Sequence, residues 1–219
     1  MTKHFIRDLG VLGDYLIQIG TQCEEAFRHA IEGILTQNVD LAQSVVDGDL
    51  KIDELEVELE EEALKILALH APVAGDLRFL IAAIKINNDL ERIADIAGNI
   101  AKRTIEMEDL AHATPPAGFH DMARQTQAML HDVIQAILRR DPVQAGRVLA
   151  MDDVVDDFHR KLLDNLETRT AEEPNAVPAL IRWINVVRLV ERIADYATNI
   201  AEDIIYMEEG DIVRHDQGR

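Results

Sequence analysis

The chain has one cysteine, Cys23, so no intrachain disulfide can form, a usage that belongs to a reducing compartment. Aromatic residues make up only 4% of the sequence while apolar residues reach 47%, which disfavours an aromatic-rich β-sandwich and favours aliphatic helix packing. Basic residues are scarce. The 22 lysines and arginines face 41 aspartates and glutamates, a net charge of −19 on 219 residues. Such a surface repels polyphosphate backbones and anionic headgroups, so nucleic acid is a poor partner, whereas cations and basic patches on other proteins are good ones. The longest apolar run, Phe79 to Ile84, falls far short of the ~20 residues of a membrane span. The opening eight residues lack the apolar run of a secretory signal. A cytoplasmic protein with no membrane insertion is expected.

Proline is also sparse, and its placement gives the architecture. Pro72, Pro115, Pro116, Pro142, Pro174 and Pro178 separate long stretches whose apolar residues recur every three or four positions. The spacing predicts six helices, at 4–36, 40–70, 76–108, 118–139, 142–170 and 178–209. Asn38 or Asp40 can cap the second helix, and Asp141 before Pro142 the fifth. Gly210 is placed to stop the sixth. With no linker of low complexity, the joint near Thr114-Pro115-Pro116 is expected to be tight.

The chain repeats itself. Glu91-Arg92-Ile93-Ala94-Asp95 recurs one hundred residues later as Glu191-Arg192-Ile193-Ala194-Asp195, and Asn99-Ile100-Ala101 as Asn199-Ile200-Ala201. In the preceding helix the offset is 103, pairing Asp49 and Asp53 with Asp152 and Asp156. There the stripe Ile52, Leu55, Leu59, Ala63 pairs with Val155, Phe158, Leu162, Leu166. The expected fold is all-α: six long helices forming two tandem, sequence-related three-helix bundles, residues 1–114 and 115–219.

Each half carries two acidic pairs one helical turn apart: Asp49/Asp53 and Glu91/Asp95, then Asp152/Asp156 and Glu191/Asp195. Residues four apart share a helix face, so each pair sets like charges side by side at a cost of a few tenths of a kcal/mol. A neighbouring lysine or arginine would offset this. A multivalent cation would do so better if two pairs converge. On the helical wheel Asp49, Asp53, Glu56 and Glu60 lie about a quarter-turn from the core stripe, as do Asp152, Asp156 and His159. Glu91, Asp95 and Asn99 line up beside the apolar face Leu90, Ile93, Ala97, Ile100, and Glu191, Asp195 and Asn199 repeat the arrangement. Oxygen donors select hard cations such as Mg²⁺, Ca²⁺, Mn²⁺ or iron, with His159 able to add a nitrogen. Glu54, Glu58, Glu61 and Glu62 are assigned to solvent, the remaining histidines to surface or loop roles, and Trp183, Phe79 and Cys23 to packing. No phosphate loop and no G-x-S-x-G or H-E-x-x-H motif occurs.

These residues resemble the PhoU family of phosphate-uptake regulators. The resemblance is carried by the repeated Glu-Arg-Ile-Ala-Asp at 91–95 and 191–195, by Pro72-Val73-Ala74-Gly75-Asp76-Leu77-Arg78, and by 199–207 and 210–215. Tyr196 departs from the histidine common at that place, and Pro178 occupies the slot of Arg78. The resemblance implies a metal cluster on Asp49, Asp53, Glu91, Asp95, Asp152, Asp156, Glu191 and Asp195; the wheel positions of Glu56, Glu60, Asn99, His159 and Asn199 make them candidates for additional ligands. The donor set calls for Mg, Mn, Fe or Zn and for more than one ion per site, and the resemblance implies a non-enzymatic homodimer. That homodimer would restrain phosphate uptake and starvation signalling through the ATPase subunit of a phosphate ABC transporter and a sensor histidine kinase. Two rival readings are a ferritin-like di-metal oxidase, for which no Glu-x-x-His is present, and a metal-free interaction scaffold.

Overall fold

The computed structural model describes residues 3–108, 110 and 114–210. They form α1 (Lys3–Thr36), α2 (Val39–His70), α3 (Gly75–Glu106), α4 (Phe119–Arg139), α5 (Pro142–Glu172) and α6 (Val177–Glu209). A single 3₁₀ turn, Pro174–Ala176, precedes α6. The fold is all-α, as the spacing predicts. Among the described residues no helix is long and apolar enough to cross a membrane.

Local chemistry sets the helix ends. Asn38 Oδ1 accepts from the Leu41 amide at 3.0 Å, and Asp141 Oδ1 accepts from the amides of Val143 and Gln144 at 2.9 and 3.0 Å. Both side chains satisfy amides that have no intrahelical acceptor. Gly210 closes α6 at φ 82°, where a residue without Cβ is unstrained. The α2–α3 joint is different, since two alanines, Ala71 and Ala74, stand at φ 44° and 51°. Fixed around Pro72, this four-residue connection leaves α2 and α3 side by side.

In the first half α1, α2 and α3 pack mutually, and in the second half α4, α5 and α6 do the same. The halves join where α3 meets α6 and α1 meets α4. One continuous apolar core runs through both. Helices α3 and α6 are buried on most of their circumference, with Ala82, Ala83, Ala94, Ala97 and Ala101 on one and Ala194, Ala197 and Ala201 on the other. Small side chains let two backbones approach closely, so these helices form the central seam. By contrast, among the described residues, α2 touches only α1 and α3, and α5 only α4, α6 and the 3₁₀ turn. Each outer helix buries one stripe: Ile52, Leu55, Leu59, Ala63 and Ile66 on α2, and Val155, Leu162 and Leu166 on α5. Phe158, expected in the α5 stripe, is only partly covered.

Polar groups cross the seam in pairs. Lys85 Nζ on α3 donates to Asp203 Oδ1 on α6 at 3.1 Å, and Arg182 on α6 reaches Glu106 on α3 at 3.0 Å. Both pairs fit one antiparallel register, in which Arg92 and Tyr196 border the same surface cavity as Lys85 and Asp203. Trp183 is fully buried edge-on to Phe119, and Cys23 is fully buried, so both are packing residues.

Candidate metal centre

The two acidic flanks lie where each outer helix meets its seam helix. In the first half Asp49 is half-buried, and its Oδ2 lies 3.8 Å from the position a Cβ on Gly98 would take. The α2 carboxylate therefore rests against the α3 backbone. Burial first, and then Asp53 and Asp95, push the Asp49 carboxyl above its ordinary range, with Lys102 opposing. Glu91 is raised by burial, then by Asp95, and further by Glu56, with Arg92 opposing. Glu56 is raised by burial and by Glu60 and Asp53. Carboxylates of α2 and α3 thus act on one another across the groove. Asp53, Glu60 and Asn99 stand at its solvent edge.

The second half is more tightly gathered. Asp152 is pushed up to about 6 by burial, then by Asp156, Asp195 and Asp153. Glu191 is pushed up to about 7 by burial, then by Asp195, Asp156 and Asp152. Asp195 keeps an exposed surface, yet its carboxyl is raised too, first by lost solvation and then by Asp156. Carboxyls raised in this way keep their protons to higher pH than free ones, and a cation competes for the same oxygens.

His159 shows how the second site is built. Its Nδ1 lies 3.8 Å from Glu191 Oε1, beyond hydrogen-bond reach. Its Nε2 is buried without a partner, and burial holds the imidazole below its usual range, hence neutral. A neutral imidazole with an unused nitrogen near Asp156, Glu191 and Asp195 is a competent ligand. Asn199 is half-buried one turn beyond Asp195.

Among the described residues no three or more Asp, Glu, His or Cys side chains stand close enough to hold an ion between them. The groove brings the two acidic flanks of each half to face each other without drawing them together. Arginine supplies part of the counter-charge. Arg92 lies 3.5 Å from both Glu91 and Asp95, and Arg192 lowers Glu191 and Asp195. The repeated Glu-Arg-Ile-Ala-Asp carries that arginine, so its place was visible in the motif.

Other participants had no sequence signal. Asn87 Nδ2 donates to the Glu56 carbonyl at 3.1 Å, tying α3 to α2. Its counterpart is Val187, so this tie belongs to the first half alone. Cys23 Sγ donates to the Leu90 carbonyl at 3.2 Å, and burial together with Asp49 and Glu91 raises its thiol. Glu25 and His29 of α1 share a cavity of about 190 Å³ with Asp49. Glu62, assigned to solvent by its wheel position, is half-buried and accepts from Lys65 Nζ at 2.8 Å. His112 and His215 lie outside the described residues.

A family model described as the PhoU domain matches residues 16–104 and again 119–204, one match in each half. The phosphate-specific transport system accessory protein PhoU homolog of Zymomonas mobilis is 36% identical over 208 residues, 95% of this chain and 88% of that one. The crystal structure of PhoU from Pseudomonas aeruginosa is 32% identical and matches with a TM-score of 0.89, covering 94% of this chain and 100% of that chain. The phosphate transport system regulatory protein PhoU from Streptococcus pneumoniae is 25% identical, with a TM-score of 0.88 and coverage of 95% and 99%.

Proposed function

The chain belongs to the PhoU family, and from that premise we propose that it is a metal-binding accessory regulator that restrains a phosphate-specific transport system. The relatives are named as accessory and regulatory proteins, which supports a non-enzymatic role. The observation that carries the metal half of the reading is the pairing of half-buried carboxylates across both outer grooves, with a neutral, unpartnered imidazole nitrogen in one of them. One site takes Asp49, Asp53, Glu91 and Asp95, with Glu56 at its edge. The other takes Asp152, Asp156, Glu191 and Asp195, with His159 as the nitrogen donor. Mg²⁺, Mn²⁺, iron or Zn²⁺ bound there would supply positive charge that joins outer helix to seam helix.

The chain's own residues then set the mechanics. Asp49 and Asp152 carry the outer helix's part of the link, and Glu91 and Glu191 the seam helix's part. The bound state stiffens each half, which presents long acidic helix faces to basic surfaces of a partner. The partners proposed are the ATPase subunit of a phosphate ABC transporter and a sensor histidine kinase, and the assembly is a homodimer in the cytoplasm.

The test is elemental analysis of chain purified from phosphate-replete cells, together with recovery of the transporter ATPase on the tagged protein. Bound metal that disappears in Asp49→Asn/Asp152→Asn, with the ATPase recovered, supports the reading. Metal-free protein whose melting is untouched by divalent ions and chelator would replace it with the bare scaffold.

A further inference from the structure

The outer face of α2 carries an apolar stripe that the fold does not use. Leu50, Val57 and Leu64 are 72%, 50% and 62% exposed. They lie seven residues apart, directly opposite the buried stripe, about 10 Å from one to the next. Among the described residues α2 touches only α1 and α3, and no other described element covers this face. Exposed carboxylates border it on both sides, Asp53 and Glu60 on one flank and Glu54 and Glu61 on the other.

The duplication supplies an internal control. At the established offset, α5 carries Asp153, Arg160 and Glu167 in these three places, all exposed and all charged. An outer helix of this fold therefore has no structural need for leucine and valine there. Leaving three large apolar side chains in water on one face of one repeat calls for something that covers them.

We propose that the outer face of α2 is a docking surface for a basic amphipathic helix of another protein, with leucine-like residues every seventh position and lysine or arginine beside them. Charge decides the occupant. A second copy of this chain laid on the same stripe would set Glu54 and Glu61 against their own kind, whereas a basic helix meets acid on both flanks. The apolar contacts fix its register, and the charges fix its sign and speed its approach.

The probe is a fluorescein-labelled synthetic peptide of about 20 residues, enough to span the ~21 Å from Leu50 to Leu64, with heptad leucines flanked by lysine. Binding to the full chain is read by anisotropy. The key variant is Leu50→Asp/Val57→Arg/Leu64→Glu, which copies the second repeat and makes the surface slightly more acidic. Charge alone would leave its affinity intact or raise it. At least tenfold weaker binding is expected, with melting unchanged and Val143→Glu binding like the parent. If the triple variant melts early, Leu50→Ser and Leu64→Ser singly give the same readout.

Equal binding by parent and triple variant would overturn the proposal. So would equal binding of a peptide with its leucines scrambled off the heptad, which would reduce the surface to charge. Self-association of the parent chain that the triple variant abolishes, seen by sedimentation, would assign the stripe to a second copy instead.

Discussion

His70, the last residue of α2, sets its Nε2 3.1 Å from Asp8 Oδ2 near the start of α1, and the ring of Phe5 packs on the imidazole at 4.9 Å. Asp8 is only 7% exposed. The contact latches the first turns of α1 to the far end of α2. His70, with help from Arg7, holds the Asp8 carboxyl below its ordinary range against the opposing effect of burial. A depressed carboxyl contributes stability above its unfolded value and loses it as pH falls through the folded one. Amide protection over residues 3–16 is therefore expected to drop as pH falls below the usual aspartate range of about 4. His70→Ala should move that loss to higher pH. Hydrogen exchange at a series of pH values checks both.

The Lys85–Asp203 pair answers to a different measurement. Asp203 is 1% exposed, and removing Lys85 takes a counter-charge away from a buried carboxylate. Loss of a partner from a fully buried pair costs about 3–5 kcal/mol. Lys85 is 41% exposed, so Lys85→Met is expected to cost less, about 2 kcal/mol. Combining it with Asp203→Leu should restore most of that. Denaturant melts of the single and double variants make the comparison.

The second acidic groove predicts an inverted pH response. With Asp152 raised to about 6 and Glu191 to about 7, the folded chain holds protons that the unfolded chain releases near pH 4. Stability from these groups is complete below the unfolded values and is lost as pH rises through 6 and 7. Chain treated with chelator is expected to melt about 5 °C higher at pH 5 than at pH 7.5. Asp152→Asn/Glu191→Gln should flatten the difference. Scanning calorimetry after chelation measures it.

A trade between stability and binding is expected at Asp49. Asp49→Asn removes one of the charges that repel one another in the first groove, so the metal-free chain should gain about 1 kcal/mol, roughly 3 °C for a chain of this length. At the proposed metal site, the same change should remove whatever rise in melting added Mn²⁺ or Mg²⁺ produces in the parent chain. Melting curves with and without ion separate the two effects.

Much of this molecule was legible because helices announce themselves. Proline and capping residues fixed the ends within two residues nearly everywhere, and the hundred-residue echo of Glu-Arg-Ile-Ala-Asp fixed the duplication. The wheel placed Asp49 beside Asp53 and Glu91 beside Asp95, because an i, i+4 spacing puts both members of a pair on one helix face. The rest depends on which helix lies against which. Nothing local to Lys85 points to Asp203, since the pair forms only once the halves have docked. Asn87 reads as one polar residue in an apolar run, and only the neighbouring helix gives it the Glu56 carbonyl. Glu62 was misread because the wheel cannot know that Lys65 folds over it.

The pairs across the seam bear on ancestry. One antiparallel alignment sets Lys85 against Asp203 and Glu106 against Arg182. Carried onto two copies of the first half, that alignment would bring Lys85 to Arg103, cation against cation. A primordial single unit paired with itself could not have had these side chains. The fused halves have since become complementary, and neither can now substitute for the other.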